Sequence, residues 1–231
     1  MKPRPGLPSD VDAVTKVLIK TMPLDPQWNY RFPLRREYPE DHYKYHRMLI
    51  EYFLDPSYDD WQVMVIEDSL DPTASASEKS IVAFGVWDVS YANKRKYGPG
   101  YKTQDPVTQV EEHGGSTRRD ANHEHFNAFW KGQIRAYKRY FGRLGPEKLH
   151  LQILATLPAY QRRGHGSSIC KWGMELVRRD SLNSISVMAS PMGCELYTWL
   201  GFAKVGTFYI QAAGEEEKLT LEAMLYCKSI M

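Results

Sequence analysis

Cysteine is scarce in this chain. Cys170, Cys194 and Cys227 are odd in number and scattered, with no Cys-x-x-Cys pair. Such a set supplies neither a disulfide framework nor a thiolate zinc site, and it suits a reducing compartment. Long apolar runs are missing as well: no stretch approaches the roughly 18 consecutive apolar residues of a membrane span. The opening "MKPRPGLPSDVDAV" lacks the apolar centre of a secretion signal. Nor is there a charge excess, because 30 basic and 28 acidic residues leave a net charge of +2. That balance argues against bulk nucleic-acid binding and assigns any anion site to local arrangement. The expectation is a cytoplasmic protein, monomeric or homodimeric, with neither nucleic acid nor membrane as a partner.

What is present suits one sizeable core. Of 231 residues 42% are hydrophobic and 13% aromatic, enough for a single domain over 1–231 carrying an insertion at about 91–148. "PSDVDAVTKVLIKTM" reads as a helix capped by Ser9, with Val11, Val14, Val17 and Leu18 on one face. "PLDPQWNYRFPLRREYP" holds four prolines and reads as loop. "EDHYKYHRMLIEYFL" spaces Tyr43, His46, Arg47, Ile50 and Leu54 as a second helix. "WQVMVIED" and "SIVAFGVWDVS" are β-branched and aromatic strands, joined by the polar "DSLDPTASASEKS" as a hairpin loop. Residues 90 to about 115 read as irregular, followed by a long helix that ends at Gly142 or Gly145. "KLHLQILATL", "SISVMAS", "AKVGTFYIQAA" and "LTLEAMLYCK" are strands, and "GSSICKWGMELVRRD" and "PMGCELYTWLG" are helices. The predicted fold is α/β (α+β): a mixed central sheet of about six to seven strands with helices on it.

The most informative stretch is "LPAYQRRGHGSS", Leu157 to Ser168. Pro158 stops ladder pairing, and Gly164 and Gly166 let the backbone turn tightly and approach a ligand without Cβ interference. A helix opens at its end, so unpaired N–H groups and a positive dipole end face the turn, a geometry suited to a diphosphate. It is neither a dinucleotide fingerprint, which needs Gly-x-Gly-x-x-Gly, nor a P-loop, since no Gly-Lys-Ser/Thr follows.

The strand, the "QRRGHG" hexad and the helix together resemble the acyl-CoA motif of the GNAT superfamily of N-acyltransferases. "ELYTWLGF", with Tyr197 about 31 residues after Gly166, resembles that family's C-terminal signature, and "ASPMG" resembles its fungal-type members. The resemblance is close over roughly 149–208 and loose at the N-terminal helices and first hairpin. It implies a GNAT fold whose helical insertion precedes the acyl-CoA-binding strand. It further implies acetyl-CoA as cosubstrate, an amine acceptor and no metal. Backbone N–H groups at Gln161, Arg162, Arg163, Gly164, His165, Gly166 and Ser167 would hold the diphosphate. Leu154, Ala155 and Thr156 would pair with the pantetheine arm. Tyr197 matches the general acid.

A base is harder to assign. His150, Gln152 and Leu154 share one strand face by the period of two, which makes His150 a proton-relay candidate, with Asp88 and Glu67 as rivals. Trp28, Tyr30 and Phe32, with Tyr43 and Tyr45, are candidates for an acceptor pocket. "HEH" at 123–125 does not read as a metal site, because its histidines point about 200° apart on a helix; a solvated helix start is expected. The function expected is acetyl transfer to the primary amine of a small molecule. The alternatives are a protein or peptide N-acetyltransferase, or a sensor that binds acyl-CoA without turnover.

Overall fold

A computed structural model describes residues 1–69, 79–98, 100–103 and 106–227. Its seven strands form one sheet in the order β1-β2-β3-β4-β5-β7-β6. They are β1 (Arg4–Pro5), β2 (Trp61–Ser69), β3 (Lys79–Asp88), β4 (Lys148–Thr156), β5 (Ser184–Ala189), β6 (Ala203–Ile210) and β7 (Leu219–Cys227). All neighbours are antiparallel except β4 and β5. The expected hairpin loop between β2 and β3 lies at 70–78, outside the described residues.

Among the described residues eight α-helices surround the sheet: α1 (Val11–Thr21), α2 (Pro26–Arg31), α3 (Pro39–Leu54), α4 (Tyr91–Tyr97), α5 (Pro106–Glu112), α6 (His123–Phe141), α7 (His165–Arg179) and α8 (Pro191–Trp199). On one face, Ile169, Cys170 and Val177 of α7 pack with Trp87, Leu149, Leu151 and Ile185. On the other, Val14, Val17 and Leu18 of α1 and Ile50 and Phe53 of α3 cover Val65, Phe84 and Val86. A third cluster joins Phe129 and Ala136 of α6 to Phe208, Ile210 and Leu221. Burying such side chains is the main stabilising term, at about 1.5–3 kcal/mol each. Close packing of α7 requires Gly173, where a Cβ would lie 2.4 Å from the Trp87 ring.

Several local expectations need correction. Pro26, one of the four prolines taken to make a loop, instead starts α2, because at the first helical position proline's missing N–H costs nothing. Asp25 caps that helix by accepting from Gln27 N–H at 3.1 Å. Ser9 is not a cap: it lies in a 3₁₀ turn, and Asp10 holds the cap position with its carboxylate bonded to Arg4 and Leu7 N–H. Tyr43 and Arg47 are not core positions of α3; both bind Asp12 of α1, at 3.0 and 2.8 Å. The stretch read as irregular contains α4 and α5, each only seven residues and too short to show helical periodicity.

Candidate active site

β4 and β5 pair only over Lys148–Leu151 and Ser184–Val187. Beyond Leu151 the strands separate, so the edge of residues 152–156 that faces β5 has no strand partner. This open edge is the place expected for a pantetheine arm along Leu154, Ala155 and Thr156. Its β3 side stays paired through Thr156, opposite Ala83.

The ladder between β3 and β4 jumps from Val86–Ile153 to Trp87–Leu151, leaving Gln152 as an extra residue. Such a bulge inverts the alternation of side chains that follow it. Leu149 and Leu151 face α7, and so does Leu154, while Ile153 and Ala155 face the α1–α3 side. Leu154 therefore does not share a face with His150 and Gln152, as strict period two predicted.

At the end of β4 the chain makes a 3₁₀ turn, Pro158–Tyr160, and then the hexad. Arg162 (φ 63°) and Gly164 (φ 87°) both take left-handed backbone conformations. From Arg162 to Ser167 the backbone N–H groups find no acceptor within the described chain; Ser168 N–H is the first to bond, to Gly164 O at 2.9 Å. A row of unspent donors at the start of a 15-residue helix is an anion cradle. A Cβ on Gly166 would reach 3.3 Å from Leu196, narrowing it. The Arg162 and Arg163 side chains are exposed; Arg162 makes only a 3.7 Å contact with the exposed Glu195. The His165 ring turns inward instead, its Nε2 lying 3.1 Å from Asp68 but at an angle unsuited to hydrogen bonding. Gln161 Nε2 donates to Thr156 O at 3.1 Å, tying the hexad back to β4.

A cavity of about 1330 Å³ runs from this cradle past Tyr197 to the N-terminal helices. Tyr197 on α8 is buried, and desolvation, with smaller contributions from Cys170 and Cys194, holds its phenol well above the usual range. It stays protonated, as a proton donor must.

His150 also lines the cavity, but burial, with the Lys148 charge, pulls it down to about 3. Its Nδ1 lies 2.9 Å from the Ser186 hydroxyl, which itself donates to Leu149 O. The ring is therefore a neutral Nδ1–H donor and a weak base. Asp88, its cross-strand partner, accepts from Ser90 N–H at 2.9 Å and lies outside the cavity lining. Glu67 is also outside that lining, paired with Arg4.

The far end of the cavity is lined by Trp28, Phe32 and Tyr45. Tyr30 does not line it: its hydroxyl accepts from Ala212 N–H at 2.9 Å, and its ring stacks on His125 at 3.9 Å, bordering a separate small cavity. Tyr43 is likewise outside, held on the surface by Asp12. The start of α6 is only partly solvated, because His125 is 2.7 Å from Glu215 and 2.8 Å from Tyr30 O.

Other residues of this end were invisible in the sequence. Asp25, read there only as part of a proline-rich loop, is buried and lines the cavity. Arg31 lines it too, its guanidinium 4.0 Å from the Phe129 ring. Buried Arg118 grips Asp120 through two 2.7 Å bonds, and His42 Nδ1 lies 2.6 Å from the same carboxylate. Burial alone would raise Asp120, but the hydrogen bonds from Arg118 and His42 outweigh it and lower the group. His42 Nε2 accepts from Trp28 Nε1, and His46 Nδ1 is 2.6 Å from His42 O. Ligand atoms of His42, His46 and Asp120 lie within 4.8 Å of one another. Most of these donors are already engaged by protein partners, which makes the cluster a hydrogen-bond network. Only the i, i+4 spacing of His42 and His46 could have signalled it.

A split β4–β5 edge running into a helix-capped anion cradle, with a protonated tyrosine in the cavity alongside, defines an enzyme that takes its acyl group from acyl-CoA. The chain matches the model of the acetyltransferase (GNAT) family over residues 87–202 and belongs to that family. It is an acetyl-CoA-dependent N-acetyltransferase. A Stachybotrys chartarum acetyltransferase is 26% identical over 202 residues, covering 86% of this chain and 79% of that protein. Among solved structures, the polyamine N-acetyltransferase of Drosophila melanogaster has a similar fold (TM-score 0.58, 13% identity, 98% of this chain and 99% of that one). So has the PaiA N-acetyltransferase of Thermoplasma acidophilum, solved with coenzyme A (TM-score 0.51, 10% identity, 98% of each chain). No described helix is long and apolar enough to cross a membrane.

Proposed function

We propose that the protein is a single-domain, cytoplasmic enzyme that moves an acetyl group from acetyl-CoA to the primary amine of a small molecule. The observation that carries this reading is one continuous cavity joining the N–H cradle to a buried, aromatic-lined end. Trp28, Phe32 and Phe126 of that end suit a compact acceptor with apolar surface better than an extended peptide.

The residues divide the work. The N–H groups of residues 162–167 hold the diphosphate, and the free β4 edge aligns the pantetheine. The ammonium first sheds a proton to water along the cavity. The neutral amine then attacks the thioester carbonyl, and the C–N bond forms to give a tetrahedral intermediate. The C–S bond breaks as that intermediate collapses, and the nitrogen's remaining surplus proton replaces the one Tyr197 gives up. Tyr197 donates its phenolic proton to the leaving sulfur. Asp25, buried beside the cavity and close enough for its charge to act on Tyr197, receives the incoming ammonium. His150, held neutral, orients water or the acceptor by hydrogen bonding, with Asp88 behind it across the ladder. Mass spectrometry of products from a panel of amines and peptides tests the reading. Acetylated small amines are expected. Acetylation of peptides alone, or acetyl-CoA binding without turnover, would overturn it.

A further inference from the structure

Arg31 is a cation with no carboxylate of its own. Among the described residues its only hydrogen bond is from Nε to Gln27 O, at 3.1 Å, and no acidic oxygen lies within 4.0 Å of its guanidinium. It is flanked instead by three rings, Phe129 at 4.0 Å, Phe32 at 5.1 Å and Trp28 at 5.3 Å. A half-buried guanidinium flanked by aromatic faces and open to a cavity is partly desolvated with only the more distant charge of Asp25 acting on it, a state that a ligand carboxylate would relieve. Burial pulls it down to about 9, which still leaves it charged at neutral pH.

Its neighbours sharpen the point. Arg118, the buried arginine of the cavity, is spent on Asp120. Among the described residues Asp25 has no cation within salt-bridge distance; its oxygens accept from Gln27 N–H and Nε2, both at 3.1 Å. Asp25 feels its way electrostatically in two directions, raising the Tyr197 phenol on one side and the Arg31 guanidinium on the other. The cavity lining thus holds a buried carboxylate at one end of α2 and a half-buried guanidinium, flanked by aromatic rings, at the other.

We infer that the acceptor is an amine that also carries a carboxylate, an apolar or aromatic amino acid, whose ammonium meets Asp25 while its carboxylate is gripped by Arg31. Only a zwitterion fills both positions. The planar fork of Arg31 matches a carboxylate bidentately, and the rings beside it accept an apolar side chain. This inference rests on the small-amine reading above and narrows it to one substrate class.

The test compares matched pairs, such as phenylalanine with phenethylamine and leucine with isopentylamine, as acceptors for the intact enzyme. The carboxylate-bearing member is expected to have at least a tenfold higher kcat/KM, expressed mainly in KM. Arg31→Met should bring the ratio close to one, and Arg31→Lys should retain part of it. Equal kcat/KM within the pairs, or a preference that survives Arg31→Met, overturns the inference and leaves the small-amine reading standing. Calorimetry with N-acetylphenylalanine and N-acetylphenethylamine reads the same pocket without turnover. Tighter binding of the acid by wild type, lost in Arg31→Met, supports Arg31 as the carboxylate subsite, whereas failure to acetylate any free amine would overturn the small-amine reading and the inference with it. Indistinguishable binding of the two products overturns the inference.

Discussion

The two ends of the cavity are made of different material. The end proposed for CoA is backbone: six consecutive residues, 162–167, leave their N–H groups without an acceptor in the described chain, and the side chains of Arg162 and Arg163 stand in solvent. The end proposed for the acceptor is side chains gathered from α2, α3, the segment before α6, α6 itself and β4, held by the buried Arg118–Asp120–His42–Trp28 network. A backbone site tolerates change in most side chains but not in the φ angles that shape it. A side-chain site tolerates backbone variation but depends on each buried charge keeping its partner.

That contrast can be probed from its largest expected effect downwards. Tyr197→Phe, where the two ends meet, should lower kcat by about 10²–10⁴ while leaving the KM for acetyl-CoA near its original value. An unchanged rate in a steady-state assay removes Tyr197 as the proton donor. Asp120→Ala leaves Arg118 buried and unpaired and should cost about 3–5 kcal/mol of stability, measured by urea denaturation. A loss below about 1 kcal/mol would show the network to be incidental to the acceptor end.

Gly164→Val places a β-branched residue at φ 87°. Left-handed backbone costs such residues about 1–2 kcal/mol or more, which the turn relieves by reorienting its N–H groups. Acetyl-CoA affinity should then fall by at least about tenfold in calorimetry. An unaltered Kd would mean that the cradle is not built by this turn.

Acid should affect the buried side-chain end. Burial lowers His150 and, with Arg118 contributing, His46 below the histidine range they have when unfolded. Between about 6.5 and about 3 the unfolded chain therefore binds protons that native His150 does not, so stability is full above that window and falls as pH drops through it. The contribution of His150 is about 1.4 kcal/mol per pH unit. His150→Gln should flatten the dependence of the urea midpoint between pH 7 and 5, and an unchanged slope would contradict its burial as a neutral ring. Least affected should be Arg162→Ala and Arg163→Ala, whose exposed charges are worth less than about 1 kcal/mol. The KM for acetyl-CoA should shift by a few-fold at most; a hundredfold rise would return the diphosphate contact to side chains.

The same contrast governs what could be read in advance. The N–H cradle is contiguous, so "QRRGHG" carries both the glycines and the helix start that make it, and Tyr197 follows within one further strand and helix. Most strands, α1, α3, α7 and α8 were equally legible, because each shows its own period of two or near 3.6. Asp25 and Arg31 carry no such mark. In sequence they are a cap and the last residue of a six-residue helix hidden among prolines, and Tyr30 looked as eligible for the pocket as Trp28 and Phe32.

By itself, then, the amino-acid sequence determined the family, most strands and helices as elements, and the anion cradle, since each is marked by a pattern among near neighbours in the chain. Only the tertiary structure decided the rest. The extra residue at Gln152 turned Leu154 to the opposite face from His150. Burial among packed helices made His150 a poor base, and the meeting of α2 with α6 left Arg31 half-buried and flanked by rings. Those outcomes depend on desolvation and on partners tens of residues away, neither of which a local pattern encodes.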